Sequence, residues 1–159
     1  MAEVSETVRR QIEALNTRYI RAIDDDMLED WPALFTDPCL YRVTTRENYA
    51  RNLPLPLMEC ASRGMCADRV TGYRRVNVYE PQRYTHLLSG LVIEPAGGNQ
   101  YICRQNFAIV RTMVTGEMMI FSAGLYADRV VIDGKEALFA ERIVVQESRR
   151  VDTLLVIPL

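Results

Sequence analysis

The 159-residue chain carries 19 basic against 21 acidic side chains, a net charge of −2, with 48% hydrophobic and 25% charged residues. That balance fits one globular domain, residues 1–159, with a proper core, and it excludes a global field favouring nucleic acid or an anionic membrane. No apolar run approaches the roughly 18 residues that would cross a bilayer. The opening MAEVSETVRRQIEAL lacks the apolar centre of a signal peptide, so a cytoplasmic location is expected.

The first element is a helix. Val8, Ile12, Leu15, Tyr19, Ile23 and Met27 step by three or four, one apolar stripe, with Ser5 as the expected N-cap and an end near Asp25. Such a helix is roughly 30 Å long at about 1.5 Å per residue. Asp24, Asp25 and Asp26 oppose the helix dipole at that end and read most simply as a solvated terminus. Pro32 then opens a short second helix that buries Trp31, Leu34 and Phe35.

Leu40 to Thr45 reads as a short strand. Glu47 to Leu57 contains Pro54 and Pro56, which block both helix and central strand, and so predicts an extended arm whose apolar side chains need a cover. Met58 to Arg75 predicts two short helices around Gly64, with Asp68, Arg69 and Val70 in the second. From Arg83 onward the chain is strand: Arg83–Glu94, Tyr101–Val114, Glu117–Ile132 and Glu136–Ile157, the last as one long strand or two. Turn signals separate them, Asp133–Gly134 being the strongest. Strands this long twist and curl, with bends expected at Gly90 and Gly124. Helices followed by an antiparallel meander give an α+β fold with the helices on one face.

Composition adds two open readings. All but Lys135 of the basic residues are arginine, which fits either large paired contact surfaces or the codon usage of a GC-rich genome. Cys39, Cys60, Cys66 and Cys103 form no CxxC pair, favouring free, mostly buried thiols over disulfides or a zinc site.

A long N-terminal helix, a Trp- and Phe-bearing second helix and a strongly curved sheet resemble the cone-shaped fold of the nuclear transport factor 2 and ketosteroid isomerase superfamily. Within it, the order Tyr19…Asp24…Trp31…Leu34-Phe35…Cys39…Tyr41, Asp68-Arg69-Val70, Arg83-Tyr84-Thr85-His86, Gly124-Leu125-Tyr126, Glu141-Arg142-Ile143-Val144, Glu147-Ser148 and Asp152-Thr153-Leu154-Leu155 to Ile157-Pro158-Leu159 covers nearly the whole chain. It resembles the small (beta) subunits of Rieske non-haem iron aromatic-ring-hydroxylating dioxygenases, the terephthalate and salicylate type above all. The resemblance implies an α3β3 hexamer in which this chain pairs with an oxygenase large (alpha) subunit and two further beta subunits. The large subunit would carry a Rieske [2Fe–2S] cluster and a mononuclear Fe(II). A reductase, often with a ferredoxin, would supply electrons from NADH for dihydroxylation or monohydroxylation of the ring.

A count agrees with a noncatalytic role. A Rieske centre takes two histidines and a non-haem oxygenase iron two more, whereas this chain has one, His86. No cofactor or metal is therefore expected in this chain. The rival reading is a stand-alone isomerase or dehydratase in which His86 pairs with Asp24 or Asp25 as acid and base. Asp68, Arg69, Tyr84, His86, Tyr126 and Arg142 are candidates for a subunit interface. Trp31 reads as core. Tyr41, Tyr84 and Tyr126 read as either core or interface, and Arg142 as either a buried structural cation or an interface residue.

Overall fold

Ser5 caps the first helix as its sequence predicts: its hydroxyl accepts the Val8 amide hydrogen at 3.3 Å, and α1 runs Glu6–Asp24. The computed structural model describes residues 3–75, 81–150, 155 and 157–159. Ile12, Leu15, Tyr19 and Ile23 of the apolar stripe are buried, but Met27, beyond the helix end, is 46% exposed. The expected short second helix is present as two 3₁₀ turns, Leu28–Asp30 and Pro32–Leu34, and Leu28, Trp31, Leu34 and Phe35 are buried there.

The remaining elements are β1 (Phe35–Thr45), α2 (Arg46–Ala50), β2 (Met58–Cys60), α3 (Arg63–Arg75), β3 (Gln82–Pro95), β4 (Gln100–Met113), β5 (Met118–Asp133) and β6 (Glu136–Gln146). Three expectations need correcting. The arm from Glu47 begins as the single-turn α2, because Thr45 caps it by accepting the Asn48 amide hydrogen at 3.2 Å. Met58–Cys60 is a strand rather than helix, paired with Tyr41–Val43 at the sheet edge. Gly64 does not divide two helices, because it lies in the first turn of the single helix α3, just after Ser62, whose hydroxyl accepts the Met65 amide hydrogen at 3.1 Å. Of the predicted C-terminal strand, β6 ends at Gln146, and residues 151–154 and 156 lie outside the described residues.

The six strands order as β2-β1-β6-β5-β4-β3. The meander β3 to β6 is antiparallel as expected, but β1 joins β6 in parallel, so the sheet is mixed and unclosed. This pairing follows from the helices' position: α1 carries the chain across the sheet, and β1 enters beside the last strand. Register shifts at Ser89/Val92, Ile109/Val110 and Arg129/Val130 bend the sheet. Gly90 sits at the first with φ +65°. Gly124 serves another purpose: a Cβ there would lie 1.9 Å from the Val145 carbonyl oxygen, so glycine lets β5 and β6 close.

The core lies between α1 and the inner sheet face. Trp31 is fully buried, edge-on to Phe35 (5.3 Å) and Tyr41 (5.0 Å), while Tyr19 meets Tyr126 and Phe139 at 5.9 and 5.7 Å. Edge-to-face pairs add about 0.5–1.5 kcal/mol each beyond burial, so this aromatic cluster does much to fix α1 on the sheet. Tyr19 and Tyr41 also hold Leu159. The Tyr19 hydroxyl donates to its carbonyl oxygen, and its amide donates to the Tyr41 hydroxyl at 2.9 Å. The segment Ile157–Leu159 is thereby buried inside the cone.

Candidate functional site

The end of α1 and the edge strand β3 build the first polar centre. Asp24 is buried rather than solvated, contrary to the simplest reading of the aspartate triplet, while Asp25 and Asp26 are exposed. Its Oδ2 accepts the His86 backbone amide hydrogen at 2.9 Å, and its Oδ1 lies 2.5 Å from His86 Nδ1. β3 is at the sheet edge, so one side of its backbone lacks a strand neighbour, and Asp24 satisfies the His86 amide there. Arg21 flanks the same carboxylate at 3.7 Å.

With Nδ1 turned to the carboxylate, Nε2 is the nitrogen left to exchange a proton, and it is buried with no hydrogen-bond partner among the described residues. A depression of about 230 Å³ lies beside Asp24, lined by Leu28, Tyr73, Tyr84 and Ile157 among others, but His86 is not part of its wall. The arrangement can hold an oriented imidazole. It does not place that imidazole against this depression.

The second centre is Arg142, which is fully buried. It binds Asp128 through two bonds, Nε–Oδ1 at 2.9 Å and Nη2–Oδ2 at 2.7 Å, and Nη2 also donates to Asn16 Oδ1 at 2.7 Å. The rings of Tyr19, Tyr126 and Phe139 pack on the guanidinium at 4.0–4.2 Å. Burial pushes the Asp128 carboxyl above its ordinary value, with Arg142 pulling against that shift. Burial alone would weaken the Arg142 charge, but Asp128 more than restores it. This is a structural cation in a cation–π box, tying α1, β5 and β6 together. Asp128 and Asn16 were missed in the sequence; an acidic residue at an inward position of an otherwise apolar strand was the available signal.

The six candidate interface residues therefore divide. Tyr84, His86, Tyr126 and Arg142 are buried within the chain, whereas Asp68 is exposed and Arg69 half-buried on α3. All four cysteines are free and buried. Cys60 and Cys66 interact closely: a hydrogen bond with Cys66, aided by Arg69, lowers the Cys60 thiol against the pull of burial, and the Cys66 thiol is pushed up in turn. Among the described residues no group of three His, Cys, Asp or Glu side chains is arranged to hold a metal ion.

Comparison with known proteins supplies the family. Residues 6–148 match the SnoaL-like domain. Subunit beta 1 of the terminal oxygenase component of terephthalate 1,2-dioxygenase from Comamonas sp is 39% identical over 150 residues, covering 94% of this chain and 97% of that one. The small subunit of anthranilate 1,2-dioxygenase from Burkholderia cepacia is 35% identical over 149 residues, covering 94% and 92%. Among solved structures, one from Novosphingobium aromaticivorans assigned as the beta subunit of an aromatic-ring-hydroxylating dioxygenase superposes with a TM-score of 0.89 at 36% identity, covering 99% of this chain and 100% of that one. By these near full-length identities the chain belongs to the SnoaL-like domain family and, within it, to the small (beta) subunits of aromatic-ring-hydroxylating dioxygenases.

Proposed function

We propose that this chain is the noncatalytic small subunit of a ring-hydroxylating oxygenase acting on an aromatic carboxylate such as terephthalate or salicylate. It joins two further copies of itself and three large subunits in an α3β3 hexamer in the cytoplasm. In this reading the Rieske [2Fe–2S] cluster and the mononuclear Fe(II) belong to the large subunit, and a reductase, with or without a ferredoxin, delivers electrons to the complex. The observation that carries it is the state of the one histidine: His86 is buried and already bound to Asp24. That leaves the four imidazoles the two iron centres require to another chain. The relatives named above support the substrate class, since terephthalate and anthranilate are both aromatic carboxylates.

Surface chemistry supports assembly. Val114, Met118 and Ile120, at the β4–β5 hairpin, are each exposed by 65% or more, and Leu55 on the arm by 63%. Apolar side chains clustered at such exposure mark surfaces that a partner covers. Asp68 and Arg69, the accessible pair among the candidate interface residues, take the role of contacts to the large subunit. Binding only the folded large subunit, the chain stabilises it by mass action and holds three copies in register. Co-expression with the large subunit tests this: a brown complex of about six chains supports it, and failure of the two chains to co-purify contradicts it.

The buried Asp24–His86 pair favours a second reading, a stand-alone isomerase or dehydratase with His86 Nε2 as base. It requires the isolated chain to turn over an enone or hydroxyketone, and Asp24→Asn to abolish that turnover. Turnover that survives the substitution, or no turnover at all, contradicts it.

A further inference from the structure

Three of the four cysteines converge, although they come from three different elements. Cys39 and Tyr41 share one face of β1, and Cys60 on β2 is registered opposite Tyr41. Cys66, near the start of α3, meets both, its thiol in hydrogen-bond contact with each of the other two. All three are buried. Cys60 nevertheless forms part of the wall of an open depression of about 360 Å³, beside Met65 and Arg69. Cys103, on β4, stands apart near Asp128 and Arg142.

The thiols are not equivalent. The Cys66 thiol donates toward Cys60 and the Arg69 guanidinium lies beside it, so both favour a thiolate there, against burial and the Glu59 carboxylate. The proton of the pair therefore rests on Cys66, whose thiol is held well above its ordinary value by the bond to Cys60 and by burial. Burial also raises the Cys39 thiol, and it pushes Cys103 up to about 12. One nucleophilic sulfur thus sits at an opening, next to a cation and in contact with a second thiol, the setting in which thiol oxidation is selective and reversible.

We propose that Cys60 and Cys66 form a reversible oxidation site, at which a small hydroperoxide entering through the depression beside Met65 and Arg69 converts the pair to a disulfide. The Cys60 thiolate attacks one peroxide oxygen. The O–O bond breaks, an S–O bond forms, and the leaving hydroxide takes up the proton that Cys60 had released, giving a sulfenic acid and one water. The sulfenic acid is uncharged, so the charge that held the proton on Cys66 is gone. The Cys66 sulfur then attacks the Cys60 sulfur, its proton passing to the departing hydroxide. The S–S bond forms, the S–O bond breaks and a second water leaves. A dithiol reverses the change by exchange. The disulfide ties edge strand β2 to α3, and in a reducing compartment such a bond is transient rather than structural. The site belongs to this chain alone and does not depend on its assembly with others.

The test is hydrogen peroxide added to the reduced full chain at neutral pH. Disulfides are mapped by mass spectrometry of non-reduced digests, and circular dichroism verifies the fold. The expected product is a chain lighter by a pair of hydrogens, linked Cys60–Cys66 within one molecule and restored by dithiothreitol. Cys60 is expected to react about tenfold or more faster than Cys103, because the thiolate is the reacting form, and urea is expected to abolish that difference. Cys66→Ser is expected to stop at a Cys60 sulfenic acid that dimedone traps. Arg69→Gln is expected to slow Cys60 oxidation about threefold or more, and Cys103→Ser to behave as wild type. Links through Cys39 or between chains overturn the proposal, as do equal rates at Cys60 and Cys103 in the folded chain. Oxygen uptake at Met65 with every thiol intact overturns it too. The wild-type map decides these outcomes without any variant.

Discussion

Arg142 shows how much one side chain decides. Its charge is tolerable in the core because Asp128, Asn16 and three aromatic rings surround it. Arg142→Met removes the cation and leaves Asp128 buried without a counter-charge, at a cost of about 3–5 kcal/mol. Pairing it with Asp128→Leu recovers most of that loss, because two apolar side chains leave no buried charge behind. Urea denaturation of the single and double variants checks this. Equal destabilisation in both would refute the ion-pair account.

Tyr19 gives a pH dependence at the same scale. Burial raises its phenol from 10.0 to about 12, and Tyr41 and Tyr126 are raised for the same reason. The folded chain thus holds these protons more tightly than the unfolded chain. Their contribution to stability is complete below pH 10 and is lost as pH climbs from there through about 12. Denaturation midpoints should fall over that interval, with phenolate absorbance appearing together with unfolding. Phenolate absorbance that develops in full while the chain stays folded and equally stable would contradict this.

Asp24 marks the limit of sequence reading for single residues. In the sequence it is one of three aspartates at a helix end, and the dipole argument treats them alike. What separates it from Asp25 and Asp26 is the angular position that turns it to His86, 62 residues further on. The sequence offers His86 either Asp24 or Asp25, and choosing between them needs the helix phase to a single residue. Arg142 is harder to read, because its partners Asp128 and Asn16 lie on separate elements.

Among elements, the long ones were the legible ones. The stripe on α1 and the turn signals between β3, β4, β5 and β6 came through because each is a local pattern repeated many times. β2 has only three residues and owes its existence to β1, and the parallel β1–β6 pairing joins segments about a hundred residues apart, so neither left a local trace. The two glycine roles are testable as a contrast. Gly124→Ala forces β5 from Val145 and is expected to cost about 3 kcal/mol or more. Gly72→Ala lies in α3 with no atom within 4 Å of the new Cβ, and it is expected to stabilise by about 0.5–1 kcal/mol. Parallel urea titrations read both, and a tolerated Gly124→Ala would show that the close strand approach does not matter.

For the molecule as a whole, the cone is filled from within. Aromatic rings, the Arg142 box and Leu159 occupy the space between α1 and the sheet. What the fold leaves available is outside: the apolar β4–β5 hairpin, the proline-bearing arm, the exposed side of α3 and the charged outer face. In the proposed reading such a chain acts by contact with other chains. The most direct measurement is iron content and substrate-dependent NADH and O₂ consumption, in the presence of the reductase components, for the purified chain and for its complex with the large subunit. The expected result is a metal-free, inactive chain alone and an iron-bearing, active complex. Stoichiometric iron with turnover in the chain alone would contradict it.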